Sequence, residues 1–160
     1  MHIHELEKRW IQISIALLAA FAVLIGVAAF AFGVQVPTLE RRVDPTRLDE
    51  DPVWSNPGVR EIVPGEQYEV YLISKAWQFV PRTIEVPAGA KVTFYVTSAD
   101  IQHGFKIVDT SVSMQVLPGY VGKVSYVFRE PGEYMMICTE YCGLGHAAMY
   151  GVIKVLPPQK

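Results

Sequence analysis

A chain of 160 residues has room for one ordinary domain and an appendage, which excludes a large multidomain enzyme. With 14 Lys and Arg against 16 Asp and Glu, its formal net charge of −2 supplies no basic stripe, and nucleic acid is excluded as a partner. The hydrophobic share of 51% slightly exceeds that of a typical soluble domain, and the excess is gathered at the N-terminal end.

From Trp10 to Leu39 there is no Asp, Glu, Lys or Arg, and the stretch from Ile11 to Val36 is almost wholly Ala, Val, Leu, Ile and Phe. A helix of about 20–25 such residues crosses a bilayer core and bonds its own backbone where lipid offers no partner. The N-terminal segment 1–36 is therefore predicted to hold a single transmembrane anchor over about 11–35. A cleaved signal peptide would have a shorter apolar core, of about 7–15 residues, followed by a small-residue cleavage site. Trp10 suits the membrane interface and Pro37 the helix end. Lys8 and Arg9 precede the span while Arg41, Arg42 and Arg47 follow it, so charge alone does not assign the inner side.

Residues 37–66 carry turn formers at Asp44-Pro45, Asp51-Pro52, Asn56-Pro57-Gly58 and Pro64-Gly65, and read as a connector without periodicity. The remainder, 67–160, changes character. Residues 68–73, 83–86, 91–96, 123–128, 133–138 and 150–155 are short runs rich in β-branched and aromatic residues, several alternating at period two. Pro87-Ala88-Gly89, Pro118-Gly119 and Pro131-Gly132 separate them, which predicts a mainly β fold, an antiparallel sandwich rather than a βαβ unit. From Arg60 to Lys160 there are nine basic and nine acidic side chains, so this part is formally neutral.

Chemistry gathers between Cys138 and Met149, where two thiols, the His146 imidazole and a thioether fall within twelve residues. Soft sulfur with imidazole selects copper or zinc over hard cations. Zinc would take Cys138, Cys142, His146 and a fourth ligand such as His103 in a closed tetrahedron. Met149 favours copper, and a mononuclear blue-copper site would use only one thiolate. Two thiolates can instead bridge two copper ions with one imidazole at each end, and sharing the charge between two metals keeps rearrangement small. Gly143 and Gly145 are expected in the tight loop because glycine tolerates positive φ. Asp100 reads first as a turn residue and second as a carboxylate that orients His103, and Met114, Met135 and Met136 as core.

Three segments together, Ile101-Gln102-His103-Gly104-Phe105, Pro131-Gly132-Glu133-Tyr134 and Cys138-x-Glu140-x-Cys142-Gly143-x-Gly145-His146-x-x-Met149, resemble subunit II of cytochrome c oxidase. With one anchor helix, the chain is most similar to the short subunit II of the ba3-type oxidases. The resemblance implies a cupredoxin-like Greek-key β-sandwich on the periplasmic-type outer face of the inner membrane. It also implies a binuclear copper A centre, with Cys138 and Cys142 bridging and His103, His146, Met149 and the Glu140 carbonyl as terminal ligands. Some members bind magnesium through the glutamate matching Glu140, whereas ba3-like members lack that ion. By the same resemblance, electrons would arrive from cytochrome c near Trp77; the neutrality of residues 60–160 separately predicts a largely apolar docking patch there. The electrons would pass to haem in subunit I, where oxygen is reduced to water; a small third subunit is a further partner.

Two rivals accompany this reading. Nitrous oxide reductase carries a similar copper domain but appends it to a large catalytic one, and a structural zinc or disulfide domain would serve binding alone.

Overall fold

The computed structural model describes residues 4–31 and 36–158, which divide into an N-terminal unit and a larger C-terminal unit. The N-terminal unit is one helix, α1 (Glu5–Ala31), with a mean hydropathy of 2.7 over its most apolar window and no buried residue. Its 27 residues rise about 1.5 Å each, which makes it long and apolar enough to cross a bilayer. The helix starts before the predicted span, in a first turn where Lys8 Nζ lies 2.8 Å from Glu5 Oε1. Positions 32–35 of the predicted span lie outside the described residues.

The C-terminal unit is a sandwich of two sheets. In chain order its strands are β1 (Thr38–Arg42), β2 (Gly58–Val63), β3 (Gln67–Lys75), β4 (Gln78–Val80), β5 (Thr83–Pro87), β6 (Lys91–Ser98), β7 (His103–Ile107), β8 (Ser113–Val116), β9 (Tyr120–Val127), β10 (Gly132–Ile137) and β11 (Tyr150–Leu156). One sheet runs β1-β9-β6-β3-β2 with β4 paired to β3, and the other runs β5-β11-β10-β7-β8. The cupredoxin-like sandwich expected from the sequence is present, with one correction. Two neighbouring pairs, β3 with β6 and β5 with β11, are parallel rather than antiparallel. Period-two alternation is the same in both directions, so the pattern of a strand does not reveal its partner's polarity.

Alternation does place the core. In β3, Tyr68, Val70, Leu72 and Ser74 point inward, and in β6 Val92, Phe94 and Val96 do the same. Between the sheets Phe79, Phe94, Phe105 and Phe128 meet at ring-centroid distances of 5.7 to 6.4 Å, largely edge to face. Fully buried side chains of this kind each contribute about 1.5–3 kcal/mol. Met114 and Met136 lie in this core as expected, but Met135 is 49% exposed, since successive side chains of β10 point to opposite faces.

The segment 37–66 differs most from expectation. It supplies two strands of the six-stranded sheet, β1 pairing with β9 and β2 with β3. Between them Leu48 and Trp54 fold over the sheet's outer face and form a second core with Val121, packed against Tyr71, Ile73 and Tyr95. Asp51 Oδ1 organises the turn by accepting the backbone N–H of Val53 at 2.8 Å and of Trp54 at 3.2 Å. Apolar outward residues on β3 and β6 thus have a cover, because each aromatic left in water would forfeit its burial.

Candidate metal centre

All the ligand candidates come from two strand ends. His103 opens β7 and is fully buried. The other segment, residues 138–149, links the neighbouring strands β10 and β11, whose last pair is Ile137 opposite Tyr150. A backbone bond from Cys138 N–H to the Met149 carbonyl at 3.2 Å closes the base of this loop. Inside it, the short 3₁₀ turn His146–Ala148 carries His146 back toward the sulfurs. No longer helix occurs among the described residues of this unit.

The two thiols are unjoined and buried, with their Sγ atoms 3.7 Å apart. Cys138 Sγ lies 3.9 Å from His103 Nδ1 and 3.2 Å from the Glu140 carbonyl oxygen. Cys142 Sγ lies 3.6 Å from His146 Nδ1 and 3.7 Å from Met149 Sδ. The folded chain therefore brings His103, Cys138, Glu140, Cys142, His146 and Met149 to one place. It pairs one imidazole with each sulfur. His103 and both sulfurs lie within 4.8 Å of one another, a grouping that does not extend to His146.

Burial pushes the Cys142 thiol up to about 11, and the neighbouring Cys138 adds to the effect. Without a cation the pocket therefore favours the neutral thiol, so a positive ion is what makes a thiolate pair stable there. The donor set fits a soft metal: two thiols, two imidazole nitrogens, a thioether and a carbonyl, with no carboxylate among the close contacts.

Asp100 performs both of the roles read from the sequence. Its Oδ1 lies 2.7 Å from His103 Nε2 and accepts the Ile101 N–H at 2.7 Å, while Oδ2 accepts the Ala76 N–H at 2.6 Å. Burial tends to raise its pKa, but these hydrogen bonds, that of His103 foremost, outweigh burial and hold the carboxyl below its ordinary range. The carboxylate turns His103 so that Nδ1 faces Cys138.

Trp77 sits in the two-residue connection between β3 and β4 and is 43% exposed. Its indole Nε1–H donates to the Cys142 carbonyl at 2.8 Å, a contact between residues 65 apart that no local pattern announces. Gly143 has φ +111, as expected for a tight loop. Gly145 does not: its φ of −89° is open to any residue, and the reason for glycine is space. A Cβ there would overlap Cγ, Cδ2 and Cε3 of the Trp77 ring. Gly104 is constrained likewise, since a Cβ would lie 2.7 Å from the Thr139 nitrogen and 2.9 Å from that of Glu140.

Comparison with known proteins identifies the family. The family described as cytochrome C oxidase subunit II, periplasmic domain, matches residues 66–156. Cytochrome c oxidase subunit 2 of Thermus thermophilus is 42% identical over 152 residues, covering 93% of this chain and 90% of that one. Nitrous-oxide reductase of Stutzerimonas stutzeri is 31% identical over 126 residues, 76% of this chain but 19% of its own length. Among solved structures, a haem-copper terminal oxidase dimer matches with a TM-score of 0.79 and 31% identity, over 94% of this chain and 99% of the other. The periplasmic domain of subunit II from Bradyrhizobium japonicum, at 22% identity and a TM-score of 0.52, shares the fold. On the strength of the matched β-unit, and of a relative that extends through the anchor helix as well, the chain belongs to the cytochrome c oxidase subunit II family.

Proposed function

We propose that this chain is the electron-receiving subunit of a haem-copper terminal oxidase, in which Cys138 and Cys142 bridge two copper ions. His103, His146, Met149 and the Glu140 carbonyl would complete the ends. When bound, such a centre takes up and gives back single electrons. The observation that carries the reading is the pairing of one imidazole with each of two adjacent sulfurs. A single tetrahedral ion with bonds of about 2.0–2.3 Å needs all four donors within roughly 4 Å of one another. His146 stands outside the cluster formed by His103 and the two sulfurs, which favours two metal positions over one.

The chain's own residues do the rest. Asp100 holds His103 in one orientation, the Cys138–Met149 bond holds the loop closed, and the buried sulfurs exclude water. Within the loop Tyr141 and Leu144, and outside it Trp77 and Ile101, are exposed apolar side chains, suited to a cytochrome c that docks without strong charge pairing. Trp77, in contact with the Cys142 carbonyl, is the proposed port for its electrons. Onward transfer goes to haem on subunit I, and α1 anchors the chain with the sandwich on the periplasmic face. For Glu140 the proposal is confined to the carbonyl, whose oxygen lies 3.2 Å from Cys138 Sγ.

The test loads the full-length chain in detergent with copper and records metal content and electron spin resonance. Two copper ions per chain, with hyperfine structure from two equivalent nuclei that Cys142→Ser abolishes, is the expected result. One isolated cupric ion, or retained zinc, would overturn the reading and favour the closed four-ligand site.

A further inference from the structure

The connection between β3 and β4 touches the ligand set at both ends. On one side the Ala76 N–H donates to Asp100 Oδ2 at 2.6 Å, and Asp100 Oδ1 in turn meets His103 Nε2 at 2.7 Å. On the other, the Trp77 indole donates to the Cys142 carbonyl at 2.8 Å and its ring fills the space that a side chain at Gly145 would need. Gly145 lies at the start of the turn that presents His146, with a negative φ that does not require glycine. Glycine at 145 is therefore matched to tryptophan at 77, not to the turn.

We infer that the Ala76–Trp77 corner is a brace that holds the metal loop in its ligating shape before any metal arrives, with Trp77 as the positioning residue. The inference rests on the proposal that this loop binds the metal, and it assigns Trp77 a mechanical role separate from conducting electrons. The physical reason is the loop's composition. Residues 143–146 include two glycines and an exposed Leu144, and the short bonds His146 N–H to Gly143 O and Ala148 N–H to Gly145 O span only three residues each. Such a segment has little burial of its own to fix it, so ordering entropy would otherwise be lost at the moment of binding. An indole anchored in a hairpin supplies a rigid wall and one long-range hydrogen bond.

The test uses the unmetalated full-length chain in detergent and reads amide hydrogen exchange at His146 and Ala148, with β6 and β9 as internal controls. Trp77→Phe keeps a ring but loses the donor, and the two loop amides should exchange about tenfold faster while the control strands stay unchanged. Gly145→Ala should do the same by displacing the ring. In Trp77→Leu, which opens that space, adding Gly145→Ala should cost nothing further, a non-additivity expected only of residues in contact. Copper release to a chelator, followed by visible absorption, should accelerate in parallel.

Unchanged exchange in both Trp77→Phe and Gly145→Ala, or effects that simply add in the double variant, would overturn the brace. Slower oxidation of cytochrome c by Trp77→Phe with unchanged loop exchange would overturn it too, while leaving Trp77 as the electron port. Absence of paired copper in the wild type would remove the proposed function, whereas the exchange result in the unmetalated chain would still stand or fall separately.

Discussion

Two single residues show how close packing and charge specify the site. Gly104 follows the buried His103, and the backbone of Thr139 and Glu140 passes directly over it. Gly104→Ala is expected to destabilise the fold by about 1–3 kcal/mol, because an overpacked methyl must push the backbone of Thr139 and Glu140 as well as the Thr139 hydroxyl. Denaturant unfolding of the purified chain measures this. Asp100 acts through charge instead. Asp100→Asn can keep one acceptor toward His103 but loses the carboxylate that orients the ring, and copper affinity should fall about 10- to 100-fold. Competition with a chelator of known affinity checks it, and unchanged affinity would mean that packing alone orients His103.

At the level of elements, the most informative piece is the segment from Val43 to Pro57, which covers the outer face of the six-stranded sheet. Trp54 is 1% exposed and packs edge-on against Tyr71 at a ring-centroid distance of 5.6 Å, with Tyr71 stacked on Tyr95 at 4.9 Å. Trp54→Ala is expected to cost about 3–5 kcal/mol. The loss should show as faster amide exchange in β1 and β2, which this segment joins, while the copper spectrum of the protein that remains folded is unaltered. The segment read as a connector because its strands are short and neither holds a fully buried residue: β1 is exposed throughout and β2 at most half-buried. A strand with no buried face carries no alternation for the sequence to display. Legibility was higher for β3, β6 and β9, where one face is continuous core.

Across the whole molecule, titration and charge balance have separate consequences. Burial, and then the bond from its hydroxyl to Glu69 Oε2 at 2.7 Å, push the Tyr71 phenol up from 10.0 to about 12. The folded protein thus holds that proton more tightly than the unfolded chain does. Its stabilising contribution is complete below about pH 10 and is lost as pH rises toward about 12. Unfolding free energy measured across that window should decline, and Tyr71→Phe should flatten the decline. The balance of nine basic and nine acidic side chains from Arg60 onward, with apolar residues around the metal loop, leads to another expectation. The second-order rate of reduction by cytochrome c should change little between low and moderate salt, since no large field of one sign is present to be screened. A steep fall with ionic strength in stopped-flow measurements would contradict the apolar docking patch.

By itself the sequence determined what depends on neighbours along the chain. The anchor helix follows from an uninterrupted apolar run, the core strands from alternation, and the Cys138–Met149 loop from donor types concentrated in twelve residues. Only the tertiary structure decided what depends on distant segments meeting. Parallel pairing of β3 with β6, the Trp54 cover, the meeting of His103 with Cys138 and the Trp77 bond to the Cys142 carbonyl all join residues far apart in the chain. Local periodicity reports which face of an element is buried, and it is silent on which surface does the burying, because that choice is made by packing the whole unit at once.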